Sequence, residues 1–131
     1  MNAPKPTTWT VTESSTPAPI RMFGLVADDG TEAYYRIQRE TTGRIVVTVR
    51  FQEPTSTAVA KIYARAHAAR FLAQTLDTIA DFMIGDDEPL DIDAEPTMIG
   101  CTVELAGAGA VLATAAFFGE NAADELFNAG A

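Results

Sequence analysis

The stretch Thr55–Ile84 runs for about 30 residues without a glycine or proline. It is rich in Ala, Leu, Lys, Arg and Gln, the residues that lose least on entering a helix. At 1.5 Å per residue such a helix is roughly 45 Å long, so the fold of a 131-residue chain must be arranged around it. Pro54 ends the element before it, and Thr55, Ser56 or Thr57 offers an oxygen to the first turn. Gly85 and then Pro89 mark its exit.

Two apolar rows run along this helix. Val59, Ile62, Ala66, Ala69, Ala73, Leu76, Ala80 and Met83 step by three and four and share a face. This row is expected to pack on a sheet. A second row, Ala60, Ala64, Ala68, Phe71, Thr75, Thr78 and Phe82, lies opposite, where a surface helix is normally charged. Phe71 and Phe82 are therefore expected to be covered, by the C-terminal segment or by a second copy as an oligomer face. The charges oppose the helix dipole, with Lys61, Arg65 and Arg70 early and Asp77 and Asp81 late. An antiparallel homodimer centred on Phe71 would set Lys61 against Asp81 and Arg65 against Asp77. Those basic and acidic pairs fall on opposite flanks of the first row, so that pairing does not follow.

Before the helix the pattern is one of strands. Residues 1–6 read as an arm and 7–53 as a sheet. Thr7–Glu13 alternates, Ile20–Ala27 is apolar on both faces, and Ala33–Arg39 and Ile45–Gln52 follow after the Asp29-Gly30 and Thr42-Gly43 turns. Four strands joined by short turns make an antiparallel meander. After the helix comes the acidic connector 86–96. Thr97–Ala106 then reads as a fifth strand and Ala110–Phe118 as a sixth, its alanines favouring helix and its hairpin context strand. A short helix over Ala122–Asn128 closes a C-terminal segment of 97–131. The expected class is α+β: a meander sheet with one long helix across it, then a β-hairpin and short helix, in a single domain.

Charge is divided along the chain. All nine Lys and Arg lie at or before Arg70, against six acids, and the remainder holds twelve acids and no Lys or Arg. The net charge of −9 is thus +3 in the first 70 residues and −12 in the rest. No apolar run reaches the roughly 18 residues that span a membrane, and the N-terminus lacks the apolar stretch of a signal peptide; a cytoplasmic location is expected.

Motifs for chemistry are lacking. His67 has no orienting carboxylate nearby in sequence, and the single Cys101 shares strand parity with Ile99, Val103 and Leu105, as a small core residue would. The acids of the connector lack the glycine and glutamate positions of a calcium loop. Neither a metal nor a cofactor is expected, and the chain reads as a non-enzyme.

Interaction is the remaining class. Asp86, Asp87, Glu88, Asp91, Asp93 and Glu95 form an acidic patch, stiffened by Pro89 and Pro96. Strand parity is expected to put Arg21, Tyr34, Arg36 and Arg50 on the sheet face away from the helix, with Gln38 and Thr48 between them. Patches of opposite sign allow head-to-tail contacts between copies, so a self-associating structural or assembly protein is the leading expectation. An acidic inhibitor or chaperone that mimics nucleic acid, a type common among small phage-encoded proteins, would instead present its carboxylates to a basic partner. A third possibility is single-stranded nucleic acid on the arginine-bearing sheet face, opposed by the negative charge of the whole.

Overall fold

The computed structural model describes residues 8–85 and 96–128; side chains are not described for 82–85, 108 and 128. Four strands open the chain: β1 (Trp9–Ser14), β2 (Ile20–Ala27), β3 (Glu32–Arg39) and β4 (Ile45–Gln52). The long helix α1 (Ala58–Gly85) follows, then β5 (Thr97–Ile99), β6 (Thr102–Ala106), α2 (Ala108–Phe118) and α3 (Glu120–Asn128). All six strands form one antiparallel sheet in the order β1-β2-β3-β4-β6-β5. The α+β class and the four-stranded meander are as the alternation implies. Among the described residues no helix is long and apolar enough to cross a membrane.

One sheet face carries the core. Phe23, Leu25, Ala33, Tyr35, Val47, Val49, Phe51, Val103 and Leu105 alternate along β2, β3, β4 and β6 and are all buried. Each large side chain among them is worth about 1.5–3 kcal/mol in removal from water. The turn before β3 is closed by its own atoms: Thr31 N–H donates to Asp29 Oδ1 at 2.9 Å and Ala27 N–H to Thr31 O at 2.8 Å. The bond from Thr31 holds the Asp29 carboxyl below its usual range.

Helix α1 begins where the threonines allow. Thr57 Oγ1 accepts from Ala60 N–H at 3.1 Å, so Thr57 is the cap. Its orientation, however, is opposite to expectation. Ala60, Ala64, Ala68, Phe71, Thr75 and Ile79 face inward and are buried, whereas Val59, Ile62 and Leu76 of the first row point to solvent. The inward row starts with three alanines, which let the helix backbone lie close over Phe51. From Phe71 onward the same row meets α2, which fills the core side of its C-terminal half. Thr75 is tolerated inside because its hydroxyl donates to Phe71 O at 2.8 Å.

The second correction concerns residues 97–118. Thr97–Ala106 is two strands, and the hairpin lies inside it: Ile99 pairs with Thr102, and Gly100 (φ 60°) and Cys101 make a two-residue turn. A glycine at the first turn position is what a II′ hairpin requires. Cys101 therefore leaves the strand row and packs half-buried against the core from the turn. Ala110–Phe118 belongs to α2, not to a sixth strand. Both edges of β6 are already taken, by β4 and β5, so the alanine propensity prevails. At Gly109 α2 lies against Ile79 of α1, where an added Cβ would stand in ordinary van der Waals contact, 3.4 Å from Ile79 Cδ1.

Gly119 separates α2 from α3 at φ 94°, ψ 159°, a region essentially reserved for glycine. Its N–H donates to Ala115 O and its carbonyl accepts from Ala123 N–H. An added Cβ would touch nothing within 4 Å, so the cost of Gly119→Ala is purely backbone. Urea denaturation should show a loss of about 1–3 kcal/mol; a loss near zero would mean that the α2–α3 junction adopts another conformation.

Candidate interaction surfaces

The uncovered sheet face is built by the residues out of phase with the core. Register places Gly24, Tyr34, Arg50 and Thr102 in one row across β2, β3, β4 and β6, and Met22, Arg36, Thr48 and Glu104 in the next. Glu32 stands opposite Gln52 on the same face. Arg36 Nη2 donates to Gln38 Oε1 at 3.2 Å. Tyr34, Arg36 and Arg50 are thus brought together as the alternation implies.

Arg21 is not with them. It shares parity with Phe23 and Leu25 on the helix-covered face and lies opposite Ile37. There its guanidinium sits 5.0 Å from the Phe23 ring centroid and holds Glu13, with Nε 2.8 Å from Oε2 and Nη2 3.1 Å from Oε1. This bidentate contact keeps the Glu13 carboxyl below its usual range. The parity with Phe23 was the available signal. Two acids that a strand-by-strand count overlooks join the outer face instead: Glu32, which reads as turn, and Glu104, which arrives with β6. Among the described residues, Arg36 and Arg50 are therefore balanced on this face by Glu32 and Glu104.

Phe71 is fully buried within the chain. Its ring lies 5.2 Å from Phe117, 5.6 Å from Phe118 and 5.7 Å from Phe51. It is covered by α2 and cannot serve as an oligomer face. The Phe82 side chain and the acidic patch Asp86, Asp87, Glu88, Asp91, Asp93 and Glu95 lie outside what is described.

The outward face of α1 leaves a row of apolar residues exposed. Val59, Ile62, Tyr63 and Leu76 are 59%, 66%, 58% and 50% exposed. Ala66, Ala69, Ala73 and Ala80 continue the stripe between them and are exposed too. Arg70 and Asp77 flank it on one side.

His67 has a partner that sequence spacing concealed. Its Nε2 lies 3.1 Å from Glu53 Oε1, and the ring stacks on Phe51. The pair ties the β4–α1 turn to the helix about two and a half turns after its start. Among the described residues no group of three or more His, Cys, Asp or Glu converges as a metal site. No family model matches the chain, and neither the curated proteins nor the solved structures hold a significant match to it.

Proposed function

We propose that the chain is a non-enzymatic protein–protein interaction protein that self-associates, as a structural or assembly component, through the outward face of α1. The observation that carries this reading is the stripe Val59, Ile62, Leu76 and the alanines between them, half or more exposed at each large residue on a 28-residue helix. A helix whose only neighbour is water is normally charged on that side.

The occupant that fits is a second copy running antiparallel. With Ala73 set against the second copy's Leu76, and Ala69 against its Ala80, six alanines per pair of helices allow close approach. The same register brings Arg70 beside the second copy's Asp77, and by symmetry the reverse, on one flank of the seam. That contact is isologous and closes as a dimer. An inhibitor or chaperone role for the acidic run would rest on residues outside those described. The charge-balanced sheet face gives nucleic-acid binding less support than three arginines would.

Light scattering against concentration tests the proposal. The wild-type mass should approach twice 14.0 kDa as concentration rises, and Ala73→Glu with Leu76→Glu should hold it at the monomer. Arg70→Asp should weaken association several-fold, since two exposed ion pairs are worth about 0–1 kcal/mol each. Adding Asp77→Arg should restore it. A monomer at every concentration overturns the reading.

A further inference from the structure

We infer that the cleft between the end of β4, the start of α1 and the β5–β6 turn is a binding site for a small organic phosphate. The cleft has a volume of about 360 Å³, within the range of small-molecule sites. Two cations of a chain with net charge −9 stand over it from α1, Lys61 and Arg65, while Arg50 borders it from β4 with its side chain on the opposite sheet face, in the row of Tyr34 and Thr102. Lys61 and Arg65 are one helical turn apart on the flank of α1 that overhangs Gly100 and Cys101. Like charges at that spacing repel, and among the described residues neither Lys61 nor Arg65 has an ion pair. A single carboxylate, Glu53, shares the wall, and it is engaged with His67 at 3.1 Å.

Lys61 and Arg65 bring two positive charges to the cleft and its one carboxylate is held by His67, which suits a phosphate monoester, dianionic above its second pKa of about 6. The hydroxyls of Thr55 and Ser56 on the rim add neutral donors. The floor is apolar, formed by Phe51, Ala60 and Ala64, so a ligand with a flat apolar body beyond its phosphate fits better than inorganic phosphate does. The positive end of the α1 dipole adds to the field of the cations.

Cys101, the only cysteine, is part of the wall and reports on the cleft. Alkylation of the full chain should be followed with anionic iodoacetate and neutral iodoacetamide, each rate taken relative to a free thiol. The cations should raise the iodoacetate-to-iodoacetamide ratio several-fold at low salt, and the excess should fade as salt rises. Phenyl phosphate should slow alkylation at lower concentration than inorganic phosphate. Lys61→Gln with Arg65→Gln should abolish the excess and weaken phenyl phosphate binding, measured by equilibrium dialysis, at least tenfold, while both exposed substitutions leave the melting temperature in place. A ratio equal to that of the free thiol, or phenyl phosphate binding unchanged in the double variant, would overturn the site. Inorganic phosphate binding as tightly as phenyl phosphate would overturn the organic ligand.

Discussion

Phe71→Ala is expected to cost about 3–5 kcal/mol of folding stability, the range for truncating a buried aromatic. Phe71 is fully buried where α1, β4 and α2 meet. Its ring touches three others, edge-on to Phe117 and tilted against Phe51 and Phe118. Aromatic pairs of this geometry add about 0.5–1.5 kcal/mol beyond area burial. Cavity cost depends on how far neighbours relax. Here the neighbours are themselves pinned: Phe118 is packed by Trp9 at 5.0 Å and by Tyr35 at 6.0 Å. Collapse into the space is therefore limited, and the upper half of the range is expected. Urea denaturation reads the loss as a shifted midpoint with the slope kept. Light scattering on the folded variant should show the same mass as wild type. A stability loss under about 0.5 kcal/mol accompanied by a change in mass would return Phe71 to an intermolecular surface.

The contrast between Phe71 and Leu76 shows where sequence patterning stops. Strand β4 is legible because Val47, Val49 and Phe51 alternate with Thr48, Arg50 and Gln52, so one face alone can enter the core. Both rows of α1 are apolar, and periodicity locates them without ranking them. The larger residues of the outward row argue for the core; the small Ala60, Ala64 and Ala68 win it because a sheet accepts a helix at short range through alanine. What decides is α2, whose Phe117 and Phe118 need Phe71 as their partner, and that relation spans some 46 residues of sequence. The outer sheet face repeats the lesson. Tyr34, Arg36 and Arg50 follow from alternation within their own strands, whereas Glu104 reaches Thr48 only through the β4–β6 pairing. The cleft beside Cys101 likewise needs β4, α1 and the β5–β6 turn together, three segments that no local motif connects.

The Tyr35–Thr114 hydrogen bond is expected to show a strong asymmetry on mutation. Tyr35 of β3 and Thr114 of α2 are both fully buried, and their hydroxyls bond to each other. Thr114 Oγ1 donates onward to Ala110 O at 2.7 Å, so its remaining lone pair accepts the tyrosine proton. Thr114→Val leaves the phenol buried with no acceptor, at a cost of about 1–3 kcal/mol. Tyr35→Phe leaves Thr114 still bonded to Ala110 and should cost less, about 0.5–1.5 kcal/mol. The double variant removes both polar groups and should be more stable than Thr114→Val alone. Burial also pushes the Tyr35 phenol well above its ordinary value of about 10. The folded state then keeps a proton that the unfolded state loses. Stability from this group is complete below pH 10 and declines as pH rises beyond it, by up to about 1.4 kcal/mol per pH unit. The stability difference between wild type and Tyr35→Phe, measured in urea from pH 8 to 11, should therefore be constant at first and move against the wild type above about pH 10. A double variant no better than Thr114→Val, or a difference flat to pH 11, would place the phenol in contact with water and undo the buried pair.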